Sequence, residues 1–418
     1  MTANAKAERT EIEVLLDADF LSAPMVVGTL FRVVAHGREV FSFRYDSDWR
    51  RSKSAVGLDP QLVLGDGEFY PEKAAVPFRV FLDSAPDRWG RVLMDRREEF
   101  RARAAGRSTR TLTELDYLLG VHDMCRLGAL RFRREASAPF LDNDAEFAAP
   151  PITSLRELEA AARALEDPKA SENANYAKWL KLLLEPGSSL GGARPKSVFA
   201  DVDGSFWIAK FPSRNDRRDV GAWEFLVHTL ADRAGLDVPA AKLFPGADYR
   251  TFACQRFDRI GSRRRFFVSA MTLLGRNDGD AASYLDIAEL ISVNVGPTAS
   301  DLRELWTRLV FNILVGNRDD HLRNHGFIMV GNVWRLAPAY DVNPNIEKSQ
   351  HALRIDDRSA VGSVDLALET AALYGLKAPA ARSIVDQVSG VVAGWRQVAE
   401  DLKISRPEIE MMAPAFLV

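Results

Sequence analysis

The sequence predicts an α+β fold, strand-rich and mixed in its N-terminal part and all-helical toward its C-terminus. Three observations carry that reading. Near the start, Met25 to Val34 and Val40 to Tyr45 alternate in the strand period, with Phe41, Phe43 and Tyr45 on one face. Ser197 to Val202 and Ser205 to Phe211 repeat the pattern around Asp203-Gly204, a pair that supplies the positive φ angles of a tight hairpin. Past residue 283 the apolar period becomes helical: Leu302, Leu305, Trp306, Leu309, Val310, Ile313 and Leu314 recur at three and four.

With 418 residues, 47% of them hydrophobic, the chain can bury at least one large core and has the length of two or three domains. The 55 Lys plus Arg nearly balance the 58 Asp plus Glu, so no overall field holds a polyanion, and nucleic-acid binding is disfavoured as the main activity. The opening MTANAKAERTEIEV lacks the apolar core of a signal peptide, and no stretch approaches the roughly 18 apolar residues of a membrane span. A cytoplasmic protein without membrane attachment is expected. Cys125 and Cys254 have no second Cys or His at metal-ligand spacing and read as small buried hydrophobes.

Taken in order, the first two strands join through His36 and Gly37, and helix-like spacing follows over Pro77 to Glu99 and Thr111 to Gly120. The arginines Arg96, Arg97, Arg101, Arg103, Arg107 and Arg110, interrupted by Glu98 and Glu99, read as a solvated helix face rather than a contact to nucleic acid or an acidic partner. Residues 134–151 read as a linker ending at Pro150-Pro151, and Ser154-Leu-Arg-Glu157 predicts a capping box that opens a helix over 155–166. Ala222 to Ala234 turns helical and stops at Gly235, and Lys242 to Phe257 is extended. The long helix before Gly316 takes Ser300 as its cap, and further helices cover 363–374 and 378–402. The expected division is 1–150, 151–260 and 261–418, without internal repeats.

Chemistry concentrates in Phe311 to Met329, where a buried helix runs into a dense polar loop. Arg318-Asp319 followed by Asn324 has the Asp-x-x-x-x-Asn spacing of a protein-kinase catalytic loop, in which the Asp accepts the substrate hydroxyl proton and the Asn binds magnesium. Downstream, Leu336-Ala-Pro-Ala-Tyr-Asp341 ends a short strand-like run, which makes Asp341 the candidate second metal ligand; magnesium keeps most of its ligands as waters and phosphate oxygens. Lys210 closes the second hairpin strand, where a kinase places its phosphate lysine, and Glu224 on the next helix is the candidate to orient it. Before the hairpin, Gly187-Ser-Ser-Leu-Gly-Gly-Ala-Arg-Pro-Lys196 could bring backbone amides to a phosphate; lacking the glycine before the lysine, it is not a Walker A loop.

Together, Ser189-Leu-Gly-Gly-Ala-Arg-Pro-Lys196, Trp207-Ile-Ala-Lys-Phe-Pro212, Arg256-Phe-Asp-Arg259, Gly316-Asn-Arg-Asp-Asp-His-Leu-Arg-Asn324 and Leu336 to Asp341 resemble the HipA family, bacterial kinase toxins of type II toxin-antitoxin systems. Phe81-Leu-Asp-Ser-Ala-Pro-Asp-Arg-Trp89 and the helical C-terminus extend the resemblance over nearly the whole chain. It implies a protein-kinase-like two-lobed fold that binds ATP and Mg2+ between its lobes and phosphorylates a serine on a protein, with aminoacyl-tRNA synthetases among the family's targets. It further implies Asp319 as base, Asn324 and Asp341 as metal ligands and Lys210 on the phosphates. The backbone around Gln255 and Phe257 would be the adenine hinge, His321 would lie near the nucleotide, Gly191 and Gly192 would sit in the loop over it, and Ser189 would be autophosphorylated. A HipB-like helix-turn-helix antitoxin is the implied partner, with DNA contacted only indirectly through it.

Two departures stand out: Gln255 occupies a hinge position often acidic in relatives, and Asp320 follows Asp319 where a small residue is common. Only Asp319 has the spacing to Asn324, which leaves Asp320 the lesser candidate base. Two other functions compete. One is a metal-dependent phosphohydrolase or nuclease built from His122, Asp123, Asp319, Asp320, His321 and Asp341; the other is an inactive kinase fold serving as corepressor with an antitoxin.

Overall fold

The computed structural model describes residues 8–35, 38–141, 149–187, 192, 194–294 and 299–418. It forms two compact units, Met1–Ala209 with Asp258–Val268, and Lys210–Phe257 with Ser269–Val418.

In the first unit β1 (Glu8–Leu16), β2 (Met25–Ala35), β3 (Arg38–Tyr45) and β4 (Leu130–Arg133) make an antiparallel sheet of order β3-β2-β1-β4. The sequence reading did not assign β1, although Ile12, Val14 and Leu16 alternate along it and are all buried. Phe41 and Phe43 are fully buried, and the Phe43 ring meets Tyr45 edge to face at 5.0 Å. The helices of this unit are α1 (Ser47–Arg51), α2 (Arg79–Asp83), α3 (Arg88–Ala104), α4 (Glu114–Leu119), α5 (Leu155–Leu165) and α6 (Tyr176–Gly187). The arginines of α3 and of the segment after it behave as a satisfied surface: Arg96 of the helix meets the Leu165 carbonyl, and beyond its end Arg107 pairs with Glu98 and Arg110 with Asp116, while Arg101 and Arg103 are exposed.

The capping box expected at Ser154 does not form. A preceding 3₁₀ turn, Ile152–Ser154, already holds Ser154 in helical geometry, and a serine needs extended backbone to cap. A capping box forms instead at Thr113, which accepts from the Asp116 N–H at 3.3 Å while the Asp116 carboxylate accepts from the Thr113 N–H at 2.9 Å. The expected hairpin is present: β5 (Lys196–Ala200) turns through Gly204, at φ 80°, into β6 (Phe206–Lys210).

The second unit begins at Lys210. It holds α7 (Val220–Arg233), then the antiparallel pair β7 (Ala241–Phe244) and β8 (Thr251–Gln255), in which Ala241 faces Cys254. Helices α8 (Ala270–Leu273), α9 (Tyr284–Asn294) and α10 (Ala299–Leu314) lead into the hairpin of β9 (Gly326–Val330) and β10 (Val333–Leu336). The C-terminus is helical: α11 (Val364–Thr370), α12 (Ala378–Val392), α13 (Trp395–Asp401) and α14 (Arg406–Met412). Helix α10 is the axis of this core, with Leu305, Trp306, Leu309, Val310 and Phe311 all buried. Ser300 lies inside the helix rather than capping it, and its hydroxyl takes a hydrogen bond from Arg335 at 3.0 Å. Cys125 is buried and Cys254 half-buried, and neither is in a disulfide. No helix among the described residues is long and apolar enough to cross a membrane.

Candidate active site

The polar loop starts where α10 stops. Gly316 has φ 62°, and a β-carbon there would lie 2.4 Å from the Ala415 carbonyl oxygen, so both conformation and space demand glycine. From that turn Asn317 reaches back to α10, its N–H donating to the Asn312 carbonyl at 2.9 Å and its side-chain amide to Asn312 Oδ1 at 3.1 Å. Asn312 Nδ2 in turn donates to Asp320 Oδ2 at 3.1 Å, where His325 Nε2 (2.7 Å) and the Tyr284 hydroxyl also converge. Burial would raise the Asp320 pKa, but the neighbouring His325, with hydrogen bonds from His325 and Tyr284, holds it below the usual carboxylate range. Asp320 is the buried anchor of the loop.

Asp319 faces the other way. Its side chain is 57% exposed and pairs with Lys348. Loop register separates the two aspartates: one carboxylate fixes the loop and the next is presented by it.

A second cluster gathers on Lys210. Its ammonium contacts Glu224 of α7 and lies 2.5 Å from Asp341 Oδ1. Burial alone would depress the lysine pKa, but the carboxylates of Asp341 and Glu224 outweigh it and keep the ammonium charged. Asp341 adopts φ 58°, a left-handed conformation that costs a non-glycine residue and is held here by its neighbours. Asn343 Nδ2 lies 3.3 Å from Asp341 Oδ1, and the Tyr340 hydroxyl donates to the Arg323 carbonyl at 2.6 Å. That last bond ties the Asp341 segment to the 3₁₀ turn Leu322–Asn324, which carries the buried Asn324.

The remaining expected residues fall as follows. His321 precedes that turn, half-buried, and its Nδ1 has no hydrogen-bond partner; neither has Oδ1 of Asn343. The Gln255 N–H is bonded to the Ala240 carbonyl at 2.8 Å, and the Phe257 ring packs 5.4 Å from that of Tyr340. A small cavity touches Glu224, His228, Cys254, Tyr340 and Asp341. A larger one, about 520 Å³, lies at Arg217, Arg250, Lys403 and Glu408 and shares no lining residue with the Lys210 cluster. Ser189 and Gly191 lie outside the described residues. Gly192 belongs to the first unit, at φ 92°, with its N–H bonded to Asp87 and its carbonyl accepting from the Trp89 N–H at 3.3 Å. The Phe81–Trp89 motif thus holds Gly192 through Asp87 and Trp89.

Among the described residues no group of three or more His, Cys, Asp or Glu could hold a metal. A site for magnesium is differently built. Asp341 and Asn324 carry hard oxygens, and the Asn343 amide donates to Asp341 Oδ1 at 3.3 Å; such oxygens are of the type a magnesium ion takes alongside phosphate and water. The hydrolase constellation is not assembled in this way, because buried Asp123 is spent on Arg131 and Arg264. Sequence reasoning missed Tyr284, Asn312, Asn343 and Lys348. Asn312 left a signal, an amide on an otherwise apolar helix face; Tyr284 and Lys348 left none, being brought in by folding from 36 and 29 residues away.

Residues 188–395 match the family model of the HipA-like C-terminal domain. The serine/threonine-protein kinase toxin HipA of Shewanella oneidensis is 26% identical over 229 residues, 47% of this chain and 53% of that protein. A kinase candidate of Sinorhizobium fredii is 28% identical over 162 residues, 35% of this chain and 39% of that protein. The chain thus spans about two fifths to half the length of these curated relatives. A chain in the Shewanella oneidensis HipA, HipB and operator DNA complex superposes with TM-score 0.66 at 19% identity, covering 97% of this chain and 94% of that one. The fold is α+β and kinase-like.

Proposed function

The chain belongs to the HipA family, and from that premise we propose that it is an ATP-dependent serine/threonine protein kinase of the toxin-antitoxin type. One observation carries the reading most: Lys210 is held between Glu224 and Asp341, in the same unit as a loop that buries Asp320 and presents Asp319. A lysine braced by a helix carboxylate is the arrangement by which kinases position nucleotide phosphates.

In this reading Asp319 accepts the proton of the attacking serine hydroxyl, and Lys210 exchanges its contact with Asp341 for phosphate oxygens. Asn324 and Asp341 would hold the magnesium, whose charge neutralises the phosphates when it is bound. Burial of Asp320 fixes the backbone from which Asp319 projects, and His321, whose buried Nδ1 has no hydrogen-bond partner, is assigned a place near the nucleotide by family analogy. The Gln255 N–H is engaged with Ala240, so adenine recognition falls to other backbone groups near Phe257. Gly191, Gly192 and Ser189 belong to a phosphate loop in which Ser189 is modified by the enzyme itself. The proposed substrate is a serine on a protein, an aminoacyl-tRNA synthetase by family analogy, and the proposed partner is a HipB-like antitoxin that carries the DNA contact.

Comparing the phosphoproteomes of cells expressing the chain or its Asp319→Ala variant tests this. A set of phosphoserines present only with the unaltered chain is expected. Identical phosphoproteomes, with ATP still bound by the purified protein, would favour a silent corepressor instead.

A further inference from the structure

We infer that Lys348 is a further catalytic residue, a cation held beside Asp319 to meet the transferring phosphoryl group. The inference rests on the proposed kinase reading. The Lys348 ammonium pairs with the Asp319 carboxylate, yet the two side chains are 47% and 57% exposed. Such a pair contributes little to stability. The backbone beneath it is nevertheless fixed from several sides. The N–H groups of Glu347 and Lys348 both donate to Asn345 Oδ1, each at 2.9 Å, closing a tight turn. Arg318 donates to the Asn345 carbonyl at 2.6 Å, and the Asn345 N–H donates to the Gly316 carbonyl at 2.9 Å. Residues flanking Asp319 therefore clamp the turn that carries Lys348, so base and ammonium are positioned by one piece of backbone. Arg218 adds a contact to Glu347 at 3.3 Å.

A charge so placed, reachable from solvent and beside the base, suits a group that changes partner during the reaction. In the transfer, the serine oxygen bonds to the γ-phosphorus while the bond from that phosphorus to the β,γ-bridging oxygen breaks. The bridging oxygen keeps the electron pair and leaves with ADP, and the hydroxyl proton passes to Asp319. As the proton moves toward Asp319 its hold on the ammonium weakens, and in the transition state Lys348 shares its N–H groups with the equatorial phosphoryl oxygens, over which the negative charge is spread. Lys210 already has its two carboxylates, Glu224 and Asp341.

The test uses the full chain and its Lys348→Ala and Lys348→Arg variants, with labelled ATP, magnesium and casein as a generic acceptor. Lys348→Ala should lower kcat about 100-fold. Its ATP dissociation constant should stay within about 3-fold of the unaltered chain, whereas affinity for the transition-state analogue ADP–aluminium fluoride should fall by roughly the factor lost in kcat. Lys348→Arg should recover activity to within about tenfold of the unaltered chain. Unchanged kcat in Lys348→Ala, or a slow variant that still binds the analogue normally, overturns the inference and leaves the kinase reading standing. An unaltered chain that binds ATP but transfers no phosphate overturns both.

Discussion

At Asp320, three donors converge on a carboxylate only 3% exposed, so removing it takes the acceptor from the Tyr284 hydroxyl and His325 and leaves the Asn312 amide only its bond to Tyr284. Asp320→Ala should cost about 2–4 kcal/mol, visible as a lower Tm, because the loss is of a buried charge with all its partners. Asp319→Ala should change stability by no more than about 0.5 kcal/mol, since its side chain lies more than half in solvent. It should nonetheless abolish transfer while leaving ATP bound. Equal thermal losses in the two variants would contradict the division of labour between these neighbours. Asn324→Ala and Asp341→Ala should weaken magnesium-dependent nucleotide binding and transfer together, and unchanged magnesium dependence in both would point to other ligands. Histidine titration adds a pH prediction. Burial lowers the pKa of both His228 and His351 from 6.5. Their neutral forms are favoured in the folded state, so the stability they contribute is present above the unfolded value and lost as pH falls below it. Tm should drop between about pH 7.5 and about pH 5.5, and His228→Gln with His351→Gln should flatten that drop. A slope unchanged in the double variant would contradict it.

Among the elements, α10 and its stop govern the loop. Gly316→Ala would combine a strained left-handed backbone with a clash against the Ala415 carbonyl, and should cost more than about 2 kcal/mol. Gly331, in the β9–β10 turn, has a similar φ of 62° but open space around a β-carbon, so Gly331→Ala should cost only about 1 kcal/mol. Equal melting temperatures for the two variants would mean that the Ala415 contact does not restrain the helix end. The same elements show what periodicity can and cannot read. Helix α10 was legible because one face must be apolar all along its length, and β5–β6 because Asp203-Gly204 marks its turn. β1 escaped because its first four residues, Glu8 to Glu11, are all polar and leave only a short alternating run from Ile12 to Leu16, and the Ser154 cap failed because a 3₁₀ turn, set by nothing in the local pattern, preceded it.

For the whole molecule, the α+β kinase-like fold and the linear order of Lys210, Asp319, Asn324 and Asp341 were readable, because a short motif records which residue types a loop presents. What surrounds each of them was not. The buried role of Asp320 depends on Tyr284 and Asn312, and the Lys348 position on a turn clamped by Arg318; both arise from contacts between segments distant in sequence, which no local spacing encodes. The central claim is that this chain moves phosphate from ATP to protein through Asp319. Incubating the purified full chain with γ-labelled ATP and magnesium, then measuring protein-bound label by intact mass and peptide analysis, tests it most directly. The unaltered chain should acquire phosphate, including at Ser189, while Asp319→Ala binds ATP and acquires none. Label on the Asp319→Ala protein at the unaltered rate, or none on either protein, would contradict the claim.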